Sequence, residues 1–315
     1  MHVGLSQVLR ERDDLDAARQ HLQASSELGE RAGLLQNPYR WRVAMARIRE
    51  AEGNLAGALD LLDEAERRYV GDFSPDVRPV PAVRARVLLA QGEWRAALDW
   101  ARERGLSADD ELSYLHEFEH GTLARALVAR YAAERDEGSI REATDLLDRL
   151  RSAAEDGGRT GSLLDVLVVQ ALASQALGDM AAALTSIRRA LTLAEPEGYV
   201  RIFVDEGPPM ASLLRAVAKD GDAGNYVSRL LAAFAGTVVS RPVSQRLVDS
   251  LSARELEVLR LLGSDLDGPD IARRLFVSLN TVRTHTKNIY AKLGVNNRRA
   301  AVRRAVELDL MARPR

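Results

Sequence analysis

A phrase that occurs five times in the first two hundred residues most constrains the fold of this chain. Each copy has a small or polar turn, an apolar residue and an Ala-containing amphipathic stretch, at 13–22, 53–62, 92–101, 138–147 and 178–187. The apolar residues that open the copies are spaced 40, 39, 46 and 40 residues apart, at Leu15, Leu55, Trp94, Ile140 and Met180. A period near 40 built from amphipathic helices is typical of an α-solenoid.

A second apolar-periodic stretch precedes most copies, for example at 41–52, 83–91 and 163–177. Each unit is therefore predicted to be a helix, a tight turn at Gly or Asn, and a second helix, which resembles tetratricopeptide (TPR) repeats. The concave face of such a solenoid can hold a ligand, a peptide or a partner domain; a plain scaffold or oligomerisation surface is the alternative. Few residues precede the second helix of the first unit, so we expect a truncated chain or a lost N-terminal domain.

Length and composition favour a two-domain protein of the cytoplasm. At 315 residues the chain is longer than most single cores, which stop growing at about 250–300 residues. Cysteine is absent, which excludes disulfides and thiolate metal sites. The longest stretch without a charge, 166–178, has 13 residues, fewer than the ~18–20 that span a bilayer, and no signal segment opens the chain.

The net charge of −2 is distributed unevenly along the chain. Residues 251–315 hold 13 Lys and Arg against 7 Asp and Glu, whereas residues 1–250 hold 31 against 39. A basic end on an acidic body predicts a module that binds a polyanion.

The stretch from Asn280 to Leu293 reads as a helix with two different faces. Its apolar stripe holds Val282, His285, Ile289 and Leu293, while the opposite face is cationic and hydrogen-bonding. A helix that lies in a DNA major groove and is packed from behind needs this arrangement, so we interpret it as a recognition helix.

Helix boundaries around this stretch can be predicted from capping residues. Ser252 and Glu255 can form a capping box at the start of a first helix. Asp267 is a candidate N-cap of a short second helix, Ser278 is one for the recognition helix, and Gly294 is expected to end it. A fourth helix is expected over residues 299–308.

The stretches LSARELEVLRLL and DIARRLFVSLNTVRTHTKNIYAKLGV resemble the LuxR-type helix-turn-helix (HTH) domain, over residues 247–312. The upstream repeats, which end in ALTLAEPEGYVRIFVDEG, resemble the sensor region of the large regulators typified by the maltose-regulon activator. The resemblance implies an all-α protein: a TPR-like α-solenoid at 1–195, a helical junction and linker at 196–246, and a four-helix DNA-binding domain. The sequence departs from the LuxR pattern at 268–270, where Gly-Pro-Asp replaces the more usual Asn-Lys-Glu.

Site residues follow from the resemblance and from the polar face of the recognition helix. The predicted base contacts are Asn280, Arg283, Thr284 and Lys287. The predicted phosphate contacts are Thr281, Asn288 and Arg298. An arginine can bridge the O6 and N7 atoms of guanine, and the methyl group of a threonine can meet that of thymine.

His116, Glu117 and His120 match the zinc-protease pattern H-E-x-x-H. We interpret the match as a decoy, because Leu123 and Ala126 occupy the positions where the longer metzincin pattern requires Gly and His. The sequence holds no P-loop, no G-x-S-x-G elbow and no Rossmann fingerprint. We therefore expect neither an enzyme nor a cofactor or metal site.

The junction after the repeats is predicted to hold an extended segment at 199–204, helices at 210–219 and 225–235, and a linker at 237–250. The leading functional hypothesis is a sequence-specific transcription regulator, an activator, that binds double-stranded DNA as a homodimer and contacts RNA polymerase. A small-molecule or protein effector would act at the repeats, and no membrane partner is expected. The alternative is a repeat-based adaptor whose HTH-like tail binds protein rather than DNA.

Overall fold

The computed structural model describes residues 1–32, 35–71, 75–219, 224–239, 253–264, 266–275, 277–293, 295 and 297–307. These residues form helices and connecting turns, and no strand occurs among them. The all-α prediction is confirmed. The chain forms two compact units, Met1–Thr237 and Val238–Arg315, which we call the repeat unit and the HTH unit.

Five helix pairs build the repeat unit, as the sequence period predicts. They are α1 His2–Glu11 with α2 Leu15–Ala32, α3 Asn37–Ala51 with α4 Leu55–Arg67, α5 Val80–Ala90 with α6 Trp94–Glu103, α7 Glu117–Glu134 with α8 Glu137–Asp156, and α9 Thr160–Leu177 with α10 Met180–Ala194. A short 3-10 helix, Tyr114–His116, precedes α7. In four pairs the second helix begins at the apolar residue that opens the sequence phrase.

The turn inside each pair has one backbone conformation. The residue two positions before the second helix always has a positive φ, at Asp13, Gly53, Gly92, Arg135 and Gly178. The residue after it caps the helix in most pairs; Asn54 and Asp179, for example, accept hydrogen bonds from backbone N–H groups three residues ahead. The left-handed residue reverses the chain, and the cap satisfies an N–H group that would otherwise lack a partner.

Apolar clusters join neighbouring pairs along the solenoid. One cluster links α2 and α3, another links α3, α4 and α5, and a third runs from α6 to α9. The largest runs from the end of α8 through α9 and α10 into the following helices. Helix α9 is long and apolar enough to cross a membrane by length and composition alone, but eight of its residues are buried in these clusters.

The chain after α10 packs on the repeats as α11 Arg201–Val204, α12 Pro208–Lys219 and α13 Asn225–Val239. The prediction of an extended segment at 199–204 is wrong. The N–H groups of Phe203 and Val204 both donate to the carbonyl of Val200, which closes a short helical turn. Residues with β-branched side chains favour strands only where a neighbouring strand pairs with them, and no strand occurs among the described residues. The predicted linker lies largely outside those residues.

The HTH unit has four described helices, α14 Ala253–Leu262, α15 Gly268–Arg274, α16 Leu279–Leu293 and α17 Arg298–Glu307. They surround one apolar core, whose fully buried members include Val258, Leu259, Ile271, Ile289 and Ala301. The fourth helix starts one residue earlier than predicted, and its predicted last residue, 308, lies outside the described residues. Ser252 and Gly294, the predicted cap residues at the ends of α14 and α16, lie outside the described residues.

Candidate nucleic-acid interface

Local hydrogen bonds fix the starts of the two central helices. The Asp267 carboxylate accepts from the N–H of Asp270 at 2.8 Å, and the Ser278 hydroxyl accepts from the N–H of Thr281 at 3.1 Å. Both predicted N-caps are therefore present. A capped start holds the first turn of α16 in place, which is the part of a recognition helix that reads base edges.

The apolar stripe of α16 packs on the core of the HTH unit, as predicted. Val282 is 3 % exposed and Ile289 is fully buried, while His285 is half-buried. The side chain of Leu293 lies outside the described part of the unit. The burial of this stripe sets the rotation of the helix and turns the opposite side of α16 away from the core.

Two of the predicted base-contact residues, Arg283 and Thr284, lie on that outward side of α16. Arg283 and Thr284 are exposed, and within the described residues the Arg283 guanidinium makes no hydrogen bond or ion pair. The structure describes the helical backbone at Asn280, Lys287 and Asn288 but not their side chains. An exposed guanidinium without an internal partner keeps all five of its N–H donors for an external acceptor.

The predicted phosphate contacts differ in their surroundings. The Thr281 hydroxyl is 2.8 Å from that of Ser278, at the start of α16. Arg298 donates from Nε to the carbonyl of Leu262 at 2.8 Å and from Nη2 to that of Ser264 at 2.6 Å. It thus satisfies carbonyls at the end of α14, a structural role that the sequence prediction did not include.

The unusual Gly268-Pro269 pair starts α15, the helix that supports α16. A Cβ atom at Gly268 would lie 3.3 Å from the Cδ1 atom of Leu279, at the start of α16. That spacing is tight for two carbon atoms, so glycine allows the two helices to approach closely here. Pro269 stands in the first turn, where a missing N–H group costs little.

The three residues of the H-E-x-x-H match have structural partners. His120 is buried, with Nε2 3.1 Å from an Asp110 carboxylate oxygen and Nδ1 3.0 Å from the carbonyl of His116. Glu117 accepts from Arg159 at 2.9 Å and from Ser162 at 2.6 Å. No group of three His, Asp or Glu side chains with metal-binding spacing occurs in the described part of the chain. The imidazole of His120 and the carboxylate of Glu117 therefore hold neighbouring segments of the solenoid together.

A largely buried charge network lies among α5, α7 and α9. The Asp165 carboxylate accepts from Arg86 at 2.8 Å and from Arg125 at 2.7 Å, and Arg125 also pairs with Glu206. Although burial opposes it, the two guanidiniums hold the pKa of Asp165 well below its usual range. Burial lowers the pKa of Arg86 to about 10 and raises that of Glu206. The contact between α5, α7 and α9 is thus polar and internally paired at this point.

An α-solenoid joined to an HTH module, with an exposed arginine on the outward side of α16, is the architecture of a DNA-binding regulator. The family model of the MalT-like TPR region matches residues 1–220, and that of the bacterial regulatory proteins of the luxR family matches residues 249–305. The chain belongs to the MalT-like family and carries a LuxR-type DNA-binding domain, as the resemblance predicts.

Several curated relatives are described as the HTH-type transcriptional regulator MalT. That of Klebsiella pneumoniae (strain 342) is 29 % identical over 283 residues, which cover 82 % of this chain and 30 % of the relative. That of Vibrio cholerae is 28 % identical over 192 residues, 54 % of this chain and 21 % of the relative. The chain therefore spans less than a third of the length of these relatives.

Proposed function

We propose that this chain is a cytoplasmic transcription activator that reads double-stranded DNA with α16 as a homodimer. The observation that carries the proposal is the orientation of α16. Val282 and Ile289 bury one side of the helix in the core, which leaves Arg283 and Thr284 exposed on the other. The positive balance of residues 251–315 supports a polyanionic partner.

Arg283 is proposed to bridge the O6 and N7 atoms of a guanine, and Thr284 to place its methyl group against a thymine. Asn280 and Lys287 are proposed to contact neighbouring bases, and Thr281 and Asn288 to contact phosphates. An HTH dimer places two recognition helices about one helical turn apart, so the operator is expected to hold two half-sites spaced by about 10 base pairs.

The repeat unit is proposed to bind a small-molecule or protein effector. The HTH unit is proposed to act on RNA polymerase at the promoter. A run-off transcription assay with bacterial RNA polymerase tests the activator assignment. More transcript in the presence of the chain is expected. Less transcript from an occupied promoter would identify a repressor.

DNA selection from a random pool followed by binding titrations tests the reading face. Arg283→Ala is expected to weaken binding to the selected site by about 1–3 kcal/mol and to relax one base position. The matched control is Arg260→Ala, which removes the same charge from an exposed position on α14. Equal losses in both variants, without relaxed specificity, would contradict base reading by Arg283.

Salt dependence separates DNA binding from the adaptor alternative. The logarithm of the binding constant should fall linearly with that of the salt concentration, with a slope of about −0.9 for each phosphate neutralised. Failure to bind any selected DNA, together with capture of a protein partner by the HTH unit, would favour the adaptor.

A further inference from the structure

The segment that follows the fifth helix pair contacts the first helix pair. The N–H of Val200 donates to the carbonyl of Glu11 at 2.9 Å, and the N–H of Ile202 donates to the Glu11 carboxylate at 2.8 Å. The Arg12 side chain donates to the carbonyl of Glu197 at 3.3 Å. Residues nearly two hundred positions apart therefore meet, and the first helix pair closes onto the segment that follows the last.

Two buried arginines complete this seam between residues 197–206 and the first two pairs. Arg201, 3 % exposed, donates to an Asp13 carboxylate oxygen at 3.1 Å and to the carbonyl of Ala51 at 3.1 Å. Arg10, also 3 % exposed, pairs with Asp205. Asp205 pairs with Arg201 as well, so one carboxylate links both guanidiniums.

Among the described residues, the seam differs from the neighbouring helix-to-helix contacts, which are apolar, because its contacts with α1–α3 are polar. Val200, Phe203 and Val204 belong to the large apolar cluster of α9, α10 and α12. The apolar cluster of the first pairs contains Leu22 and Ile48 and shares no member with it among the described residues. The 197–206 segment is thus bound to α9–α12 by apolar packing and to α1–α3 by hydrogen bonds and ion pairs.

The contacts of Glu206 also differ from those of Asp205. Glu206 follows Asp205 directly but pairs with Arg125 on α7, inside the network that includes Asp165. The ion pair of Glu206 therefore joins residues 197–206 to the later helix pairs and not to α1–α3. Water competes for hydrogen bonds and ions but not for apolar surface, so the Asp205 side of the segment is the side that separates at lowest cost.

We propose that residues 197–206 form a latch that gives the repeat unit a closed and an open state. In the open state the latch has released α1–α3, which move as a unit, while the latch itself stays bound to α9–α12. Opening separates Arg10 and Asp13 from Asp205 and Arg201. It also uncovers the sides of α1 and α3 that contact residues 197–206 in the closed state. A ligand or partner that binds one state better than the other would shift the population between them. The latch lies within the repeat unit, so it does not depend on the DNA-binding proposal.

Residue-resolved hydrogen exchange of the full chain tests the latch. The amides of Val200 and Ile202 donate across the seam, whereas those of Phe203 and Val204 donate to Val200 within the latch. Under native conditions the first two are expected to exchange at least about tenfold faster than the second two. Core amides of α9, such as that of Val168, report global unfolding.

The variant Asp205→Asn removes the charge that joins both arginines. It is expected to accelerate exchange at Val200 and Ile202 by at least about tenfold, since a hydrogen bond to a charged group stabilises by enough for that factor. Exchange at Val168, corrected for any change in global stability, should stay constant. The control Asp63→Asn, on an exposed pair with Arg84, should change neither.

The wild-type protein alone can overturn the proposal, even if Asp205→Asn fails to fold. Exchange of the Val200 and Ile202 amides at the same rate as those of Phe203, Val204 and Val168 would mean that the seam opens only when the whole unit unfolds. A latch would then be absent, whatever the DNA titrations show.

Discussion

In the repeat unit Arg10, Arg125 and Arg201 are buried against carboxylates, whereas in the HTH unit Arg283 is exposed and has no partner among the described residues. The same side chain thus serves two purposes. A buried guanidinium must be neutralised inside the fold, because an unpaired buried charge is costly. An exposed guanidinium without a partner loses little on folding and retains its donors for a polyanion. The environment of each arginine, and not its abundance, separates the structural charges from those available for recognition.

The largest expected effect breaks a buried pair. Among the described residues, Asp165→Asn leaves Arg86 and Arg125 with Glu206 as their nearby counter-charge, and it should cost about 3 kcal/mol of unfolding free energy. A quarter of the Asp165 side chain is exposed, so we expect the lower end of the range for buried pairs. Urea denaturation measures the loss.

The matched control is Asp63→Asn, whose carboxylate pairs with Arg84 at a half-exposed surface position. Exposed pairs contribute about 0–1 kcal/mol. A loss as large as that of Asp165→Asn would show that burial does not set the contribution of these pairs.

Arg298 tests whether the HTH unit also uses an arginine internally. Arg298→Ala removes donors to the carbonyls of Leu262 and Ser264 and should destabilise the unit by about 2 kcal/mol, because a charged hydrogen bond contributes about 1.5–3 kcal/mol and the bond to Ser264 is exposed to water. Arg283→Ala should leave stability almost unchanged. Thermal unfolding of both variants, beside their DNA affinities, separates the two roles; an unchanged stability in Arg298→Ala would restore a purely phosphate-binding role.

The buried carboxylates of the network should respond to pH in opposite directions. The pKa of Asp165 is lowered by its guanidiniums, so its contribution to stability is present at neutral pH and is lost as the pH falls below the unfolded value of about 3.9. The pKa of Glu206 is raised by burial, so its contribution is largest at low pH and decreases as the pH rises past its unfolded value of about 4.3.

Unfolding free energies from about pH 3 to pH 7 for wild type, Asp165→Asn and Glu206→Gln measure this difference. The deficit of Asp165→Asn relative to wild type should grow as the pH rises, and that of Glu206→Gln should shrink. Parallel pH profiles would mean that burial and pairing act equally on both groups.

The sequence alone predicted the features of the fold that depend on contacts between residues close together in the chain. The repeat period placed the helix pairs, and Asp267 and Ser278 marked helix starts because a cap binds an N–H group three residues away. The contact between Arg10 and Asp205 joins positions far apart in the chain, and no local pattern encodes it. The helix at 201–204 was missed for the same reason, because it is held by apolar packing on α9, α10 and α12 and by a hydrogen bond to Glu11 on α1.

The smallest expected effect concerns an arginine of the repeat unit that lies outside the buried networks. Arg135 has a φ of 56°, where the equivalent residue of three other pairs is glycine. The left-handed conformation costs a side-chain-bearing residue about 1 kcal/mol. Arg135 is exposed, and its partners are the Tyr131 ring and the carbonyl of Ala176 at 3.2 Å.

Arg135→Gly should therefore raise the unfolding free energy by about 0.5 kcal/mol, since the relief of backbone strain exceeds the loss of these exposed contacts. Gly178→Ala, the reverse change at the equivalent position, should lower it by about 1 kcal/mol. Urea denaturation of both variants measures the two effects. A loss of stability in Arg135→Gly would mean that the contacts of Arg135 with Tyr131 and Ala176 stabilise the fold by more than its left-handed backbone conformation costs. Exposed arginines that stabilise the fold would then form a third class, beside the buried structural arginines and those available for recognition.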